Sequence, residues 1–346
     1  MRRAFTIIEL LVSIGIFAVS SALMFGALFG ATEVFRRGEA ARQAGDEATA
    51  VIAALQEDLS RAVPIRLRDG EPAKEWGRVI AESNPAGNCR FSFVVENPDR
   101  AQVRWISLPA PSTSRVLVGM RKWVVWYVES AATAGATQAD DLLVREEWDM
   151  SEDGTVVDKL GVALTAASQD PLRIDVVTRG CLHFGVWLEM AEAHRVVLPG
   201  TSGPDFRWES TNSNEEVLPF RGTAFDTHNK IPASASFAAF YPQPDALRVS
   251  LVLTGGGRFA TRGTLVSDIS ATDTTARVSG IKALSTISGS LVRIDNEWVR
   301  YDDFRNGQVI VRSDGRGALR STATGHSGRP TVFAGQPFSL VVALPR

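Results

Sequence analysis

The chain has 346 residues and a formal net charge of −2. That length allows a membrane helix and one or two folded domains, and the charge excludes bulk electrostatic attraction to nucleic acid. Hydrophobic residues make up 45%, an ordinary globular share, and 29 Gly with 16 Pro point to many turns.

The first element begins with a basic stub, Met1-Arg2-Arg3, followed by the small Ala4 and an apolar run over residues 5–31. A bilayer needs about 20 apolar residues, so this run is long enough to span one. Arg2 and Arg3 place the N-terminus in the cytoplasm and the rest of the chain outside. One ionisable residue, Glu9, interrupts the run. A carboxylate in a span is costly and reads as functional. Two blander readings stand beside this one. The first is an ordinary signal anchor with Glu9 at the interface, and the second is a secretory signal cut near Ser20-Ser21-Ala22.

The sequence Ala4-Phe5-Thr6-Ile7-Ile8-Glu9-Leu10-Leu11-Val12 resembles the type IV prepilin signal of pilins and secretion pseudopilins. The resemblance implies cleavage between Ala4 and Phe5 by a prepilin peptidase, followed by N-methylation of Phe5. The family most often has Gly where Ala4 stands. The physics runs the same way. A cut after Ala4 leaves a cationic amine on Phe5. Glu9, four residues on, shares its helix face and lies near the positive end of the helix dipole. Neither charge is stable alone in hydrocarbon. Glu9 is therefore expected to pair with its own N-terminal amine or a neighbouring subunit's, the latter fixing axial register in an assembly.

The helix is expected to continue as an amphipathic segment over residues 32–63. Ala44, Ala48, Val51, Ile52, Leu55, Leu59 and Ala62 recur at three- and four-residue spacing, with Arg42, Asp46, Glu47, Glu57, Asp58 and Arg61 on the other face. Pro64 ends it, and Gly26, Gly30 and Gly38 are places where it is expected to bend or melt. From residue 89 the period becomes two, with β-branched and aromatic enrichment. Strands are expected at 90–96, 102–108, 115–128, 141–149, 172–178, 181–190 and 246–254. The apolar run 123–128 implies a strand covered on both faces. Residues 199–244 read as a long irregular connection.

This order of pieces, over about residues 32–254, resembles J-type minor pseudopilins of type II secretion and PilW-type minor pilins. A separate small β module is expected at 263–335. Its runs 291–294 and 298–301 flank an Asp295-Asn296-Glu297 turn, and 308–312 supplies a third strand. The Arg316-Gly317…His326…Gly328…Val332 series resembles a small repeat of phage-tail, pilus and surface proteins, with Arg320 in place of a usual Gly. Residues 338–344 are expected to return to the main sheet.

Few chemical motifs stand out. The histidines are His183, His194, His228 and His326, none in a nucleophile or metal motif, so no catalytic residues, metal or cofactor are expected. His183 reads as an edge or solvent-facing strand residue, and His326 as a partner for backbone. Asp149–Gly154 begins like a calcium loop, but Leu160 stands where a bidentate Glu belongs, and a hairpin turn at 152–154 is the preferred reading. Gly255-Gly256-Gly257 lacks the Lys-Ser/Thr of a phosphate loop. Cys89 and Cys181 are the two cysteines. A periplasmic disulfide and two thiols both remain open. Trp105, Trp123, Trp126, Trp148, Trp187 and Trp298 read as core and interface bulk.

The expected architecture is α+β: a leader (1–4), a transmembrane assembly helix (5–31) and an amphipathic helix (32–63) packed on an antiparallel β domain (64–262 and 336–346) that carries the module (263–335). The expected role is a minor pilin or pseudopilin, anchored in the inner membrane with its domain in the periplasm. Its implied partners are the peptidase and other major and minor pilins. A membrane-tethered or pilus-tip binding protein using the module is the alternative.

Overall fold

A computed structural model describes residues 7–63, 79–83, 86–107, 115–129, 141–151, 156–157, 170–189, 225–226, 246–254, 261–281, 284, 288–319 and 321–343. Helix α1 runs unbroken over Ile7–Ser60, about 81 Å at 1.5 Å per residue. It does not break at Gly26, Gly30 or Gly38. A Cβ at each would meet nothing within 4 Å, so these glycines weaken propensity without forcing a bend. The helix stops at Ser60, three residues before the expected end. Arg61 and Ala62 donate back to Asp58 and Leu59, and Val63 donates to Val94, so the chain leaves the helix by joining a strand. Pro64 lies outside the described residues.

Seventeen strands follow among the described residues: β1 (Val79–Ser83), β2 (Cys89–Glu96), β3 (Arg104–Ser107), β4 (Arg115–Glu129), β5 (Leu142–Ser151), β6 (Val156–Val157), β7 (Arg173–Arg179), β8 (Cys181–Glu189), β9 (Phe225–Asp226), β10 (Ala246–Leu253), β11 (Thr261–Leu265), β12 (Thr275–Ser279), β13 (Ser290–Ile294), β14 (Glu297–Arg305), β15 (Gln308–Val311), β16 (Thr331–Ala334) and β17 (Gln336–Ala343). All seven expected strands of the main domain are present within one or two residues at each end. They form two sheets where one was expected. Eight strands, in the path β6-β5-β4-β2-β1-β9 with β3 on β4 and β7 on β5, make the larger. The smaller is β17-β10-β8. The last strand therefore returns beside β10 in the smaller sheet, not to the larger one.

One buried cluster draws on all these pieces. Ala44, Ala48, Val51, Leu55 and Leu59 of α1 share it with Phe91 and Phe93 of β2, Val124 and Trp126 of β4, Phe184 of β8, and Val249 and Leu251 of β10. The apolar stripe read from the sequence is thus the buried stripe. The run 123–128 is sealed on both faces. Val124 and Trp126 join this cluster, while Trp123 and Val125 join a second one with Val94, Trp148 and Met150.

Between β10 and β17 the chain makes a closed six-stranded barrel, β11-β12-β15-β14-β13-β16. The expected three strands are joined by β11, β12 and β16, which are only four or five residues long. The Asp295-Asn296 turn is as expected, with Asp295 at φ 50°, the left-handed geometry that tight hairpins require. A separate apolar core that includes Leu265, Val292, Val299, Tyr301, Val309 and Val332 fills the barrel. Residues 199–224, 227–244 and 255–257 lie outside the described set, so the irregular connection and the Gly triplet receive no structural account. Phe225 and Asp226, within the expected connection, form β9 beside β1.

Candidate functional site

Three features offer chemistry or contact. The first is the N-terminal half of α1. It is long and apolar enough to cross a membrane, and none of its most apolar 18-residue window is buried. Ile7, Phe17, Leu23, Phe29 and Phe35 are each more than 60% exposed. A folded domain seldom leaves so large an apolar surface bare unless something else covers it. Glu9 falls within this helix. Ala4 and Phe5 lie outside the described residues.

The second feature is a ladder of charges at the foot of α1. Alternation puts Arg145, Glu147 and Asp149 on one face of β5. Asp58, 1% exposed, accepts from Arg145 Nε at 2.6 Å and Nη2 at 2.7 Å, from Arg61 at 3.0 Å and from Trp126 Nε1 at 3.0 Å. Arg145 Nη2 also donates to Glu147 at 2.6 Å, and Lys122 donates to the other Glu147 oxygen at 3.1 Å. Arg104 then lies 2.8 Å from Asp149. Burial alone lowers the Arg145 guanidinium, but hydrogen bonds and charges from Asp58 and Glu147 hold it above its ordinary value. Burial pushes the Glu147 carboxyl up, and Arg145 and Lys122 more than reverse it. For Asp149 burial prevails and its pKa is raised. Beyond the helix end the ladder opens into a cleft of about 470 Å³ lined by Gln102, Arg104, Lys122, Glu147 and Arg173 among others.

The third feature is a polar knot on the barrel. Glu297, 1% exposed, accepts from Arg316 Nε at 2.6 Å and Nη2 at 2.9 Å, and from the backbone N–H of Gly317 and Thr324, both at 3.0 Å. His326 Nε2 lies 2.8 Å from it, and His326 Nδ1 lies 3.1 Å from Asp295. Burial raises the Glu297 carboxyl, yet these donors hold it below the usual range. Every Glu297 lone pair meets a donor, so the knot fixes a turn-rich segment and presents no open nucleophile.

Comparison with known protein families, curated proteins and solved structures finds no match.

His326 pairs with carboxylates and not with backbone as expected, because the barrel brings Asp295 and Glu297 to its two ring nitrogens. His183 is on an edge strand, as expected, but is fully buried and not solvent-facing. It lies on β8 of the three-stranded sheet, but the barrel covers it, its ring 5.8 Å from that of Trp298 and 6.1 Å from that of Trp187. His194 and His228 lie outside the described residues. Cys89 and Cys181 are both buried, and neither is in a disulfide. Desolvation raises the Cys181 thiol to about 12, so it is inert as a nucleophile near neutral pH. Asp149 belongs to β5 and contacts Arg104, which removes it from a calcium loop. Glu152–Gly154 lie outside the described residues, though β6 pairs back on β5 directly after them. Of the tryptophans read as core and interface bulk, Trp123, Trp126, Trp148, Trp187 and Trp298 are buried, and Trp105 is 64% exposed.

Asp58 was expected on the polar face of α1 and is instead buried. Its spacing carried a signal: it follows Leu55 by three residues and precedes Ala62 by four, so it sits on the apolar stripe. Arg145 and Glu147 carried a similar one, as charges on the inward face of a strand.

Proposed function

We propose that the chain is a minor pilin or pseudopilin, a structural and assembly subunit of a type II secretion pseudopilus or a type IV pilus. The observation that supports this reading is a single helix of two characters. It is bare and apolar through Phe35, and it is built into a β core from Ala44 to Leu59. Such a helix can stand in a bilayer and later transfer into a bundle of like helices while its folded domain stays outside. On this reading Glu9 supplies the charge contact that sets register, and processing at Ala4 and Phe5 creates the amine it meets. Mass spectrometry of the mature N-terminus tests the proposal. A methylated Phe5 is expected. An intact Met1, or a cut near Ala22, overturns it. Glu9→Val is expected to leave membrane insertion intact and impair assembly.

A second reading gives the barrel a binding role at the filament tip. The observation favouring it is that the barrel has its own core and interrupts the smaller sheet between two adjacent strands. Deleting residues 264–335 separates the two. Lost assembly with unchanged surface contact makes the barrel structural.

A further inference from the structure

We propose that the cleft beyond the foot of α1 binds a single carboxylate, held by Lys122, Arg104 and Arg173. The inference is independent of filament assembly. The cleft is of ligand size, since small-molecule sites are typically ~300–1,000 Å³. Its cations hold donors in reserve. Lys122 is 13% exposed in its side chain and gives one hydrogen bond, to Glu147. An ammonium carries three N–H groups, and among the described residues the other two meet no acceptor. Arg173 spends its Nε on Asp175 at 2.8 Å, and its two terminal nitrogens have no partner among the described residues. Arg104 Nη2 is engaged by Asp149 at 2.8 Å, and its other guanidinium nitrogens have no partner among the described residues.

Arg104 and Lys122 are matched by Asp149 and Glu147, and Arg173 by Asp175 at 2.8 Å, so the unused N–H groups of Lys122 and Arg173, not a surplus charge, are what a ligand would meet. Glu147, on the cleft wall, disfavours a dianion such as hydrogen phosphate by like-charge repulsion. The fork of a guanidinium beside an ammonium matches the two oxygens of a carboxylate. Two sources share that chemistry: a small carboxylic acid and an acidic side chain of a peptide.

Calorimetry on the detergent-solubilised full chain at low salt and pH 7 distinguishes them. The probes are acetate, acetyl-Gly-Glu-Gly-amide, its Gln counterpart and inorganic phosphate. The Glu peptide is expected to bind at least about tenfold more tightly than the Gln peptide, the scale of a charge-assisted pair. Arg173→Gln, at an exposed site, is expected to weaken binding by about fivefold to tenfold without moving the thermal midpoint. Acetate and Glu peptide binding alike identifies a small acid. A Glu peptide more than about tenfold tighter than acetate identifies an acidic segment. Equal binding of the Gln peptide, tighter binding of phosphate, an unchanged Arg173→Gln variant, or no heat from either carboxylate up to about 10 mM overturns the proposal.

Discussion

Asp58→Ala is expected to destabilise the protein by about 3–5 kcal/mol, because breaking a buried ion pair from one side leaves a charge without its counter-ion. The carboxylate takes four hydrogen bonds, two of them from Arg145. Without it, Arg145 keeps Glu147 at 2.6 Å and a longer contact to Asp175 at 3.4 Å. These soften the loss. The orphaned Trp126 indole adds roughly 1 kcal/mol. Removing both partners is a different perturbation. In Asp58→Leu with Arg145→Leu no buried charge is stranded, since Lys122 still holds Glu147 and Arg173 still holds Asp175. Apolar replacement of a buried pair is often neutral within about 1–2 kcal/mol. The double variant is therefore expected to be more stable than either single variant. Urea unfolding of the full chain in detergent, followed by tryptophan fluorescence, reads the cycle of wild type, Asp58→Leu, Arg145→Leu and their double variant, with Asp58→Ala beside it. A coupling energy of roughly 2 kcal/mol or more is expected. An Asp58→Ala loss below about 1 kcal/mol, or single losses that simply add in the double variant, would refute the account of Asp58 as the buried latch between helix and sheet.

Three further outcomes follow from the barrel and its seam. The Glu297 pKa is depressed in the folded state, so its stabilisation is present above the unfolded carboxylate range near pH ~4.3 and is lost as pH falls through the folded value. Acid unfolding is expected to begin in the barrel below about pH 4, and Glu297→Gln should flatten that limb of the stability–pH curve. Leu319 is 3% exposed yet holds φ 51°, a left-handed geometry costing a non-Gly residue about 1–2 kcal/mol. Both Leu319→Ala and Leu319→Gly lose packing, but Gly relieves the strain, so Gly should be the more stable by about 1 kcal/mol in thermal unfolding, the reverse of the usual order. Gly87 has φ 78°, and a Cβ there would collide with the Leu319 carbonyl. Gly87→Ala is expected to cost about 2 kcal/mol or more and to show as a lowered urea midpoint.

What the sequence made legible is what repeats. The α1 stripe from Ala44 to Leu59 repeats over several turns, and the β-branched and aromatic run within Arg115–Glu129 is long, so one exception hides neither. Strands β1, β6 and β9 are two to five residues long, too short to show a period. The split into two sheets depends on which strand pairs with which, a matter of tertiary contact that alternation does not encode. The barrel escaped for a related reason, since its closure joins β11 to β16 across more than sixty residues. The sites were harder still. Glu297 and Arg316 look like ordinary surface charges, and the spacing that puts Asp58 and Arg145 on inward faces does not say what they meet. Their meaning is in the partner, and the partners lie 87 residues apart in one pair and 19 in the other.

The barrel's position also bears on how it acts. Leu253 and Gln336 are cross-strand partners, so the excursion between them begins and ends at one rung of a ladder. An insertion of that kind can in principle hang free. This one does not. Trp298, Leu319 and Phe333 of the barrel bury a shared surface with Leu182, Trp187 and Val252 of the smaller sheet. Arg293, 3% exposed, donates to the Leu182 carbonyl at 2.8 Å. Ala86 pairs as an isolated bridge with Ser321, which ties the approach to β2 to the barrel as well. Apolar burial, a charge-assisted hydrogen bond to backbone and a backbone bridge attach it at three places. Any motion of the barrel alone would break the Arg293 contacts to the Leu182 carbonyl and to Asp141 and expose two tryptophans, which penalises it. The barrel is therefore held in one orientation to the core that also buries α1, and a contact made on the barrel is borne by the same body that holds the helix.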